Sequence, residues 1–395
     1  MREGEARVKV IGTWAEVVEF ILVLVILLGS LYGFFSLFCV IEFFRRPKRL
    51  QTEHHFPPVS VLKPMKGVDP EWRDNIATFV AQDYPEYEVL LGFNDPRDEG
   101  IHLATDIAKS YAPRVRVVVH ARHLGSNPKV SNLYGLIEEA RYPLLLISDS
   151  DIRVDRDYLK EIVGEYLAAE NVGIVTCLSK VTRASTVGAA LESLTTAADF
   201  IPSVLVARRL EGIRFGLGPS MMLSKNALEE LGGLAAFADY LAEDYQIGQC
   251  LWKKKYGNIL STYLIEYVLG SMRIREYLVH QLRWARTYRA CRPAGFFGYG
   301  ITHIFPLSLF FLALHGATAV SVSTLCLVLA LRYSLVLVVS EMAGYPRRWL
   351  GWIWLLPAKD FLSFGIWLWC FLGQDIFWRG ARYKLLRGGL MKKVD

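Results

Sequence analysis

The residues from Val17 to Ile41 carry no charged side chain apart from Glu19. A helix rises about 1.5 Å per residue, so this run is long enough to cross a hydrocarbon layer of about 30 Å. A cleaved signal peptide is the alternative, but its apolar core is shorter and ends at small residues. Here the run is followed instead by a basic cluster of Arg45, Arg46, Lys48 and Arg49. We therefore predict an uncleaved transmembrane helix over residues 17–41, after an N-terminal segment over residues 1–16.

A second apolar region lies near the other end of the chain, over residues 301–373. Its length predicts two or three membrane segments. Lysine and arginine beside a span resist translocation, so the middle of the chain and the basic tail over residues 374–395 are both expected in the cytoplasm. Three complete further spans would put the tail outside, so we expect one segment to be re-entrant or interfacial. Pro357, Lys359 and Asp360 point to the last segment.

Charge and cysteine content narrow the classes of function. The formal net charge of +6 is modest, and the basic residues cluster near the predicted membrane boundaries rather than along one stripe. A nucleic-acid partner is therefore not expected. The six cysteines show no C-x-x-C spacing, so we predict neither a zinc site nor a disulfide framework. The expected partner surface is the lipid bilayer.

Short apolar runs alternate with amphipathic segments of helical length in the middle of the chain. The runs cover residues 59–62, 87–93, 115–119, 144–147 and 172–177. Strands that alternate with helices predict a mostly parallel sheet with helices on both faces. We therefore predict a cytoplasmic α/β catalytic domain over residues 56–270, of the kind that binds nucleotides.

Polar residues follow several of these strands. Lys63 ends the first strand, Asp95 follows the second, and Asp149 and Asp151 follow the fourth. Ligands of open α/β sheets bind outside the carboxyl ends of the strands. Strand residues two apart share a face, so the two aspartates can converge on one divalent cation that carries a nucleotide diphosphate. Lys129, next to a helix start, is placed to meet phosphate oxygens. Each residue alone could be a turn signal, but their shared edge favours a site.

Three later segments have both a structural and a functional interpretation. Residues 215–223 predict a strand whose glycines let a ligand approach the backbone, or a bulge in a packed sheet. Glu243 and Asp244 open a helix predicted to run to about Lys255, where acidic residues act as a cap or as a site. Residues 271–292 predict an amphipathic helix along the membrane, with Arg283 turned towards a diphosphate.

Taken together, the motifs resemble the ceramide glucosyltransferase family (glycosyltransferase family 21), membrane enzymes with a GT-A type catalytic domain. The similarity runs in order from about Val59 to the C-terminal region. It is carried by residues 62–70, 82–91, 127–133, 148–154, 232–234, 242–245 and 283–284. The set is specific, although no single block is.

The resemblance implies a GT-A fold and inverting transfer of a hexose, glucose first, from a UDP-sugar to a hydroxyl of a membrane lipid. It implies roles in donor binding for Asp95 near the uridine and for Asp149 near the ribose, diphosphate and metal. Asp244 is the implied general base, and the remaining donor contacts are Lys63, Lys129, Arg283 and Trp284. The expected cofactor is Mg²⁺ or Mn²⁺, held by Asp149 and Asp151.

Two departures from the family pattern bear on the acceptor and the closing motif. His280 stands where the family usually has Gln or Arg, and residues 198–202 lack the His-Pro pair of the animal enzymes. The chain is more similar to bacterial relatives, which include hopanoid glycosyltransferases. This implies the bacterial inner membrane, and it leaves open transfer of N-acetylglucosamine from its UDP-sugar to a hopanoid.

Two more distant alternatives also stay open. A processive polysaccharide synthase combines a similar domain with membrane helices, but it needs more spans than this chain offers. A non-catalytic lipid-binding membrane protein could keep the same fold. The acidic set Asp95, Asp149, Asp151 and Asp244 argues against loss of catalysis.

Overall fold

The computed structural model describes residues 2–47 and 56–394. The first helix, α1 (Arg2–Phe44), contains a part, Glu16–Phe44, that is long and apolar enough to cross a membrane. Lys48 and Arg49 of the basic cluster lie outside the described residues. The helix is therefore longer at both ends than the span predicted over residues 17–41.

An eight-stranded sheet forms the centre of the domain that follows, with strand order β3-β2-β1-β4-β7-β6-β8-β5. Four of its strand pairs are parallel, and the pairs that involve β7 and β5 are antiparallel. Every residue of β1, β2 and β4 is buried, as expected of apolar strands that are covered on both faces. The strands are β1 (Val59–Pro64), β2 (Tyr87–Phe93), β3 (Val115–Val119), β4 (Leu144–Ser148), β5 (Ile152–Arg153), β6 (Val172–Lys180), β7 (Ser220–Ser224) and β8 (Gly257–Tyr267).

Helices connect these strands and pack on the sheet. They are α2 (Trp72–Val80), α3 (Gly100–Ser110), α4 (Pro128–Glu139), α5 (Tyr158–Leu167), α6 (Val187–Thr195), α7 (Ile201–Glu211), α8 (Lys225–Glu229) and α9 (Glu243–Lys253). A π-helical turn, Thr196–Phe200, joins α6 to α7. Because β1 and β4 are parallel neighbours, their carboxyl ends and the polar residues that follow them lie at one edge.

The last third of the described chain is mainly helical. Its helices are α10 (Ile274–Cys291), α11 (Pro293–Gly298), α12 (Ile304–His315), α13 (Ala319–Met342) and α14 (Leu356–Cys370), with a 3₁₀-helix over Arg347–Leu355. Among the described residues, three helices are long and apolar enough to cross a membrane: Glu16–Phe44, Val187–Glu211 and Ala319–Met342. A bent pair, Pro293–Thr302 with Ile304–His315, would make a fourth. Which of them cross a bilayer stays a prediction, and Val187–Glu211 is largely buried inside the protein.

The basic tail is folded. Three short antiparallel strands, β9 (Asp375–Trp378), β10 (Ala381–Leu385) and β11 (Met391–Val394), form a separate sheet. This C-terminal sheet packs beside α10, where Arg289 donates to the carbonyl oxygen of Gly373 at 2.6 Å. Apolar contacts of Ile376, Tyr383, Leu385 and Met391 form its own small core with Leu241.

The charges that made the last apolar segment doubtful as a span are neutralised inside the protein. Arg332 of α13 lies 2.9 Å from Asp199 of the π-helical turn and 2.5 Å from Asp360 of α14. Lys359 lies 2.5 Å from Asp199 and 2.8 Å from Asp360. Two cations and two carboxylates therefore form one buried network, which ties the C-terminal helices to the π-helical turn.

Replacing Arg332 with methionine is expected to destabilise the protein by about 3–5 kcal/mol, because it leaves two buried carboxylates with one lysine. The measurement is the thermal unfolding temperature of the detergent-purified protein. Arg348→Met is the matched control, since Arg348 is exposed on the 3₁₀-helix. Equal unfolding temperatures for the two variants would contradict a stabilising role for the network.

Candidate active site

Lys129 connects two parts of the sheet edge. The side chain of Asn127 accepts hydrogen bonds from the backbone N–H groups of Lys129 and Val130, at 2.8 and 3.2 Å, and so caps α4. The cap places Lys129 in the first turn, with its Nζ 2.8 Å from Asp149 Oδ1 and 3.1 Å from Glu243 Oε1. The lysine therefore joins the end of β4 to the start of α9.

Asp244 lies beside this ion cluster and is held by the backbone. The N–H of Gly218 donates to its Oδ2, and the N–H of Tyr245 donates to its Oδ1 at 2.8 Å. A Cβ atom at position 218 would come within 2.7 Å of Asp244 Oδ2 and 3.3 Å of Lys129 Nζ. Residues 215–219 are thus not a strand, as the sequence suggested, but a loop before β7 whose glycine allows this approach.

Burial and neighbouring charges set the ionisation of the cluster. Burial raises the pKa of Asp244 and Glu243 raises it further, while Lys129 and the two backbone donors oppose them, which leaves a value of about 6. Burial lowers the pKa of Lys129, but the charges of Asp149, Glu243 and Asp244 outweigh it, so the pKa lies above its ordinary value. Lys129 therefore stays charged, and Asp244 is ionised at neutral pH.

Lys63 contacts the backbone of the turn that follows β4. Its fully buried Nζ donates to the carbonyl oxygen of Asp149 at 2.8 Å and lies 3.4 Å from the Ser148 hydroxyl. The amine also lies 3.6 Å from the centre of the Phe79 ring. Burial lowers the pKa of Lys63 to about 7. These contacts let Lys63 position the Asp149 backbone, and its predicted contact with the donor stays a prediction.

Asp149 and Asp151 supply oxygen atoms that suit a divalent cation. The Asp149 side chain is 29% exposed, against 9% for Lys129 and 4% for Glu243, so it forms the open side of the cluster. Asp151 Oδ1 is buried without a hydrogen-bond partner among the described residues. Burial raises the pKa of Asp151 to about 7, and the charges of Asp149 and Asp69 act in the same direction. A cation would relieve this repulsion.

Asp149 and Asp151 are the carboxylates that the sequence predicts as cation ligands. Within residues 2–47 and 56–394, no group of three or more His, Cys, Asp or Glu side chains is arranged to hold a metal ion. Mg²⁺ is commonly bound by one or two carboxylates together with substrate phosphates and water. Asp149 and Asp151 therefore fit a cation that binds together with a diphosphate. They fit less well a cation that is enclosed by protein ligands alone.

Arg283 of α10 lies close enough to Asp149 for their charges to interact. Burial lowers its pKa, as does the charge of Arg379, while Tyr267, Glu192 and Asp149 act in the opposite direction. Its guanidinium forms no hydrogen bond or ion pair with another side chain in the described part of the chain. The five N–H groups of this partly buried guanidinium are thus available to donate hydrogen bonds to an anion near Asp149.

The neighbours of Arg283 in the closing motif contact protein. The Trp284 ring centre lies 5.6 Å from that of Phe200 and 5.0 Å from that of His280. His280 Nδ1 lies 3.1 Å from Glu192 Oε1, and Gln281 donates to both oxygens of the same carboxylate. The geometry thus gives His280 a partner on α6, and the donor contact of Trp284 stays a prediction.

Asp95 lies at the exposed rim of the same edge. Its Oδ1 accepts a hydrogen bond from the backbone N–H of Arg97 at 3.0 Å, and this bond is the main cause of its lowered pKa. The neighbouring Asn94 donates to the carbonyl oxygen of Pro128 at 3.1 Å, which ties the rim to α4. The contact of Asp95 with uridine stays a prediction.

Three residues of the site were not assigned from the sequence. Glu243 has no role of its own in the sequence prediction, which leaves a helix cap and a site residue both open for it, although its place next to Asp244 indicates the pair. Asp69, which accepts a hydrogen bond from the Ser150 hydroxyl, lies in the polar segment after β1, and its position in the sequence gives no local indication that it approaches Asp151. Arg379 lies in the C-terminal sheet, and no local signal connects it to the site.

Replacing Lys129 with methionine is expected to move the acidic limb of the activity profile upwards from about pH 6. The reason is that Lys129 lowers the pKa of Asp244, so its loss favours the protonated carboxyl. The measurement is kcat/KM between pH 5 and 9. Lys225→Met, in which a lysine away from the cluster is replaced, is the control, and an unshifted limb in Lys129→Met would contradict the coupling.

Comparisons with known proteins show which proteins this chain is similar to. The sequence model described as "Glycosyl transferase family 21" matches residues 21–391. Ceramide glucosyltransferase 3 of Caenorhabditis elegans is 27% identical over 275 residues, which are 67% of this chain and 60% of that protein. Ceramide glucosyltransferase 1 of the same organism is 29% identical over 252 residues, which are 63% of this chain and 54% of that protein. The chain therefore spans little more than half the length of these relatives.

A solved structure shares the fold. The mannosyltransferase PcManGT from Pyrobaculum calidifontis, in complex with GDP-Man and Mn²⁺, matches with a TM-score of 0.53 and 17% sequence identity. The match covers 89% of this chain and 99% of that chain. It confirms the predicted α/β fold of the GT-A type.

Proposed function

Because the chain belongs to glycosyl transferase family 21, we propose that it moves a hexose from a UDP-sugar to a hydroxyl group of a membrane lipid, with inversion at the anomeric carbon. Membership confirms the resemblance to ceramide glucosyltransferases and the predicted enzyme class. The observation that carries the proposal is the placement of Asp244, Lys129 and Asp149 in one cluster at the carboxyl edge of the sheet.

The donor is proposed to bind with its diphosphate between Asp149 and Arg283. Arg283 has unpaired donors there, and Asp149 has the most exposed carboxylate of the cluster. A divalent cation, Mg²⁺ or Mn²⁺, held by Asp149 and Asp151 would neutralise charge on the departing UDP. The fold neighbour was solved with Mn²⁺ and a nucleotide sugar, which supports a cation of this kind.

Asp244 is proposed as the general base. A lipid hydroxyl attacks C1 of the sugar, the bond from C1 to the phosphate oxygen breaks, and its electron pair leaves with UDP. The hydroxyl proton passes to a carboxylate oxygen of Asp244. With a pKa of about 6, Asp244 is ionised at neutral pH and is a stronger base than an ordinary aspartate. The backbone donors of Gly218 and Tyr245 fix its direction.

The acceptor is proposed to reach the site from the bilayer, along α10. Trp284 of α10 contacts Phe200 of the π-helical turn, with 5.6 Å between the ring centres, which gives α10 an apolar contact with the helices beside it. The names of the relatives support ceramide as acceptor and glucose as the sugar. We further propose that the catalytic domain faces the cytoplasm of a bacterial inner membrane. If removal of residues 301–373 left activity on bilayer-embedded acceptor unchanged, delivery through the membrane segments would be wrong.

The experiment that tests this function uses full-length protein purified in detergent with Mn²⁺ or Mg²⁺. It is incubated with UDP-glucose, UDP-galactose or UDP-N-acetylglucosamine against ceramide, a hopanoid polyol or diacylglycerol, and products are identified by mass. We expect one singly glycosylated lipid, with UDP-glucose and ceramide the first pair. Formation of a polymer would favour a polysaccharide synthase, and absence of UDP release from every pair would favour a non-catalytic protein.

A further inference from the structure

The C-terminal sheet brings a turn to the edge of the donor site. Strands β9 and β10 are joined by Arg379 and Gly380, whose φ angles are 49° and 81°. Two successive positive φ angles are typical of a type I′ hairpin turn. Lys66, which follows β1 at the carboxyl edge of the main sheet, donates a hydrogen bond from Nζ to the carbonyl oxygen of Arg379 at 3.0 Å. The turn therefore lies at the same edge as Asp149.

Hydrogen bonds from two walls of the site fix the position of this sheet. On one side, buried Arg286 of α10 donates to the carbonyl oxygen of Asp375, one turn of helix after Arg283. On the other, the backbone N–H of Leu241, shortly before Asp244, donates to the carbonyl oxygen of Gly389 at 3.0 Å. The C-terminal sheet thus contacts α10, which carries Arg283, and also the segment just before Asp244.

Two cations, Lys66 and Arg283, lie close enough to this turn to interact with the charge of Arg379. Arg379 is exposed, and within the described residues its guanidinium has no carboxylate partner. Burial lowers the pKa of both Lys66 and Arg283, and the charge of Arg379 lowers each of them further. Asp98 and Asp95 offset part of this at Lys66. An anion between these cations would relieve their repulsion.

The conformation of Arg379 is a second, independent observation. A non-glycine residue in the left-handed region is disfavoured, and type I′ turns favour asparagine, aspartate or glycine instead. An arginine in such a position is retained at a conformational cost, and strained residues of this kind concentrate at ligand sites. The arginine side chain lies over the ring of Trp378, with 5.8 Å to its centre.

We propose that Arg379 binds the diphosphate of the nucleotide sugar together with Arg283, so that the C-terminal sheet completes the donor site. This inference rests on the proposed function, because it assumes a nucleoside diphosphate as ligand. Arginine presents a planar set of donors that matches phosphate oxygens, which explains why a cation of this type would be kept at a strained turn. The remaining basic residues of the tail would then serve other purposes, such as contact with anionic lipid.

The test compares binding of UDP and of uridine by the full-length protein in detergent with Mn²⁺. Arg379→Asn keeps a residue that type I′ turns favour and removes the cation. Arg382→Gln is the matched control, because Arg382 lies on the same hairpin and pairs with Asp375 away from the turn. We expect Arg379→Asn to weaken UDP binding by about 10-fold or more and to leave uridine binding unchanged, since one charge-assisted contact to phosphate is lost.

The control is expected to bind both ligands like the wild type. UDP binding by Arg379→Asn equal to that of the wild type would overturn the inference and leave the proposed function standing. An equal loss for UDP and uridine would also overturn it, because it would indicate a general disturbance of the site. Wild-type protein that binds no UDP would overturn the proposed function itself.

Discussion

Asp244→Asn is expected to lower the rate of sugar transfer by about 10²- to 10⁴-fold, the usual contribution of a positioned general base. An amide has nearly the same shape as the carboxylate but does not accept the hydroxyl proton. Because Asp244 is not placed at the diphosphate, UDP affinity should stay within a few-fold of the wild type. The measurements are kcat with the active donor and acceptor pair, and the dissociation constant of UDP.

The pH profile gives an independent check on the same carboxyl group. The pKa of Asp244 is raised to about 6, so kcat/KM should fall as the pH drops through this value, because the protonated form does not act as a base. Above about pH 7 this carboxyl group stays ionised, so it adds no further pH dependence there. Asp106→Asn, at an exposed carboxylate of α3, is the control and should keep the wild-type profile. Full activity of Asp244→Asn would show that another group takes the proton.

Asp149→Asn is expected to lower kcat/KM by about 10²- to 10³-fold, the size found when one group that stabilises developing charge is removed. The substitution removes one of the two carboxylates that are proposed to bind the cation. It also weakens the contact with Lys129. Binding of UDP should then no longer depend on Mn²⁺. The measurement is a titration of UDP with and without Mn²⁺, with turnover measured in parallel.

Asp83→Asn is the matched control for this substitution. Asp83 is 60% exposed and pairs with Lys160 away from the sheet edge, so its loss should change neither UDP binding nor turnover. Should Asp149→Asn retain Mn²⁺-dependent UDP binding with wild-type affinity, Asp149 would not be a cation ligand. Because the two predictions concern different steps, a loss of turnover with intact UDP binding is expected for Asp244→Asn but not for Asp149→Asn.

The sequence was sufficient to predict the fold and the sheet edge at which Asp149 and Lys129 lie together. Apolar runs such as 144–147 are buried on both faces of the sheet, and alternation with helices is a strong local signal. The carboxyl ends of parallel strands meet at one edge, so Asp149 and Lys129 could be placed together before their 2.8 Å contact was seen. Asp244 was assigned through the family resemblance, since its distance along the chain from Asp149 gives no local indication.

Other contacts depended on tertiary structure. When both faces of a sheet are covered, the alternation of residues along a strand does not show which side chains reach solvent. It was therefore not predictable that the Lys63 side chain contacts the backbone of Asp149 and the ring of Phe79. The loop over residues 215–219 resembled a strand because it is apolar. The short basic strands of the C-terminal sheet had no apolar run, and the position of Arg379 follows only from how that sheet packs on α10.

The most direct test of the proposed reaction is the anomeric configuration of the glycolipid product, measured by proton NMR after transfer from an α-linked UDP-sugar. Direct attack by a lipid hydroxyl, with Asp244 as base and UDP leaving from the opposite face, predicts a β-linked sugar on the lipid and one UDP for each molecule of product. An α-linked product, or release of free sugar without a lipid-linked one, would contradict the proposed mechanism.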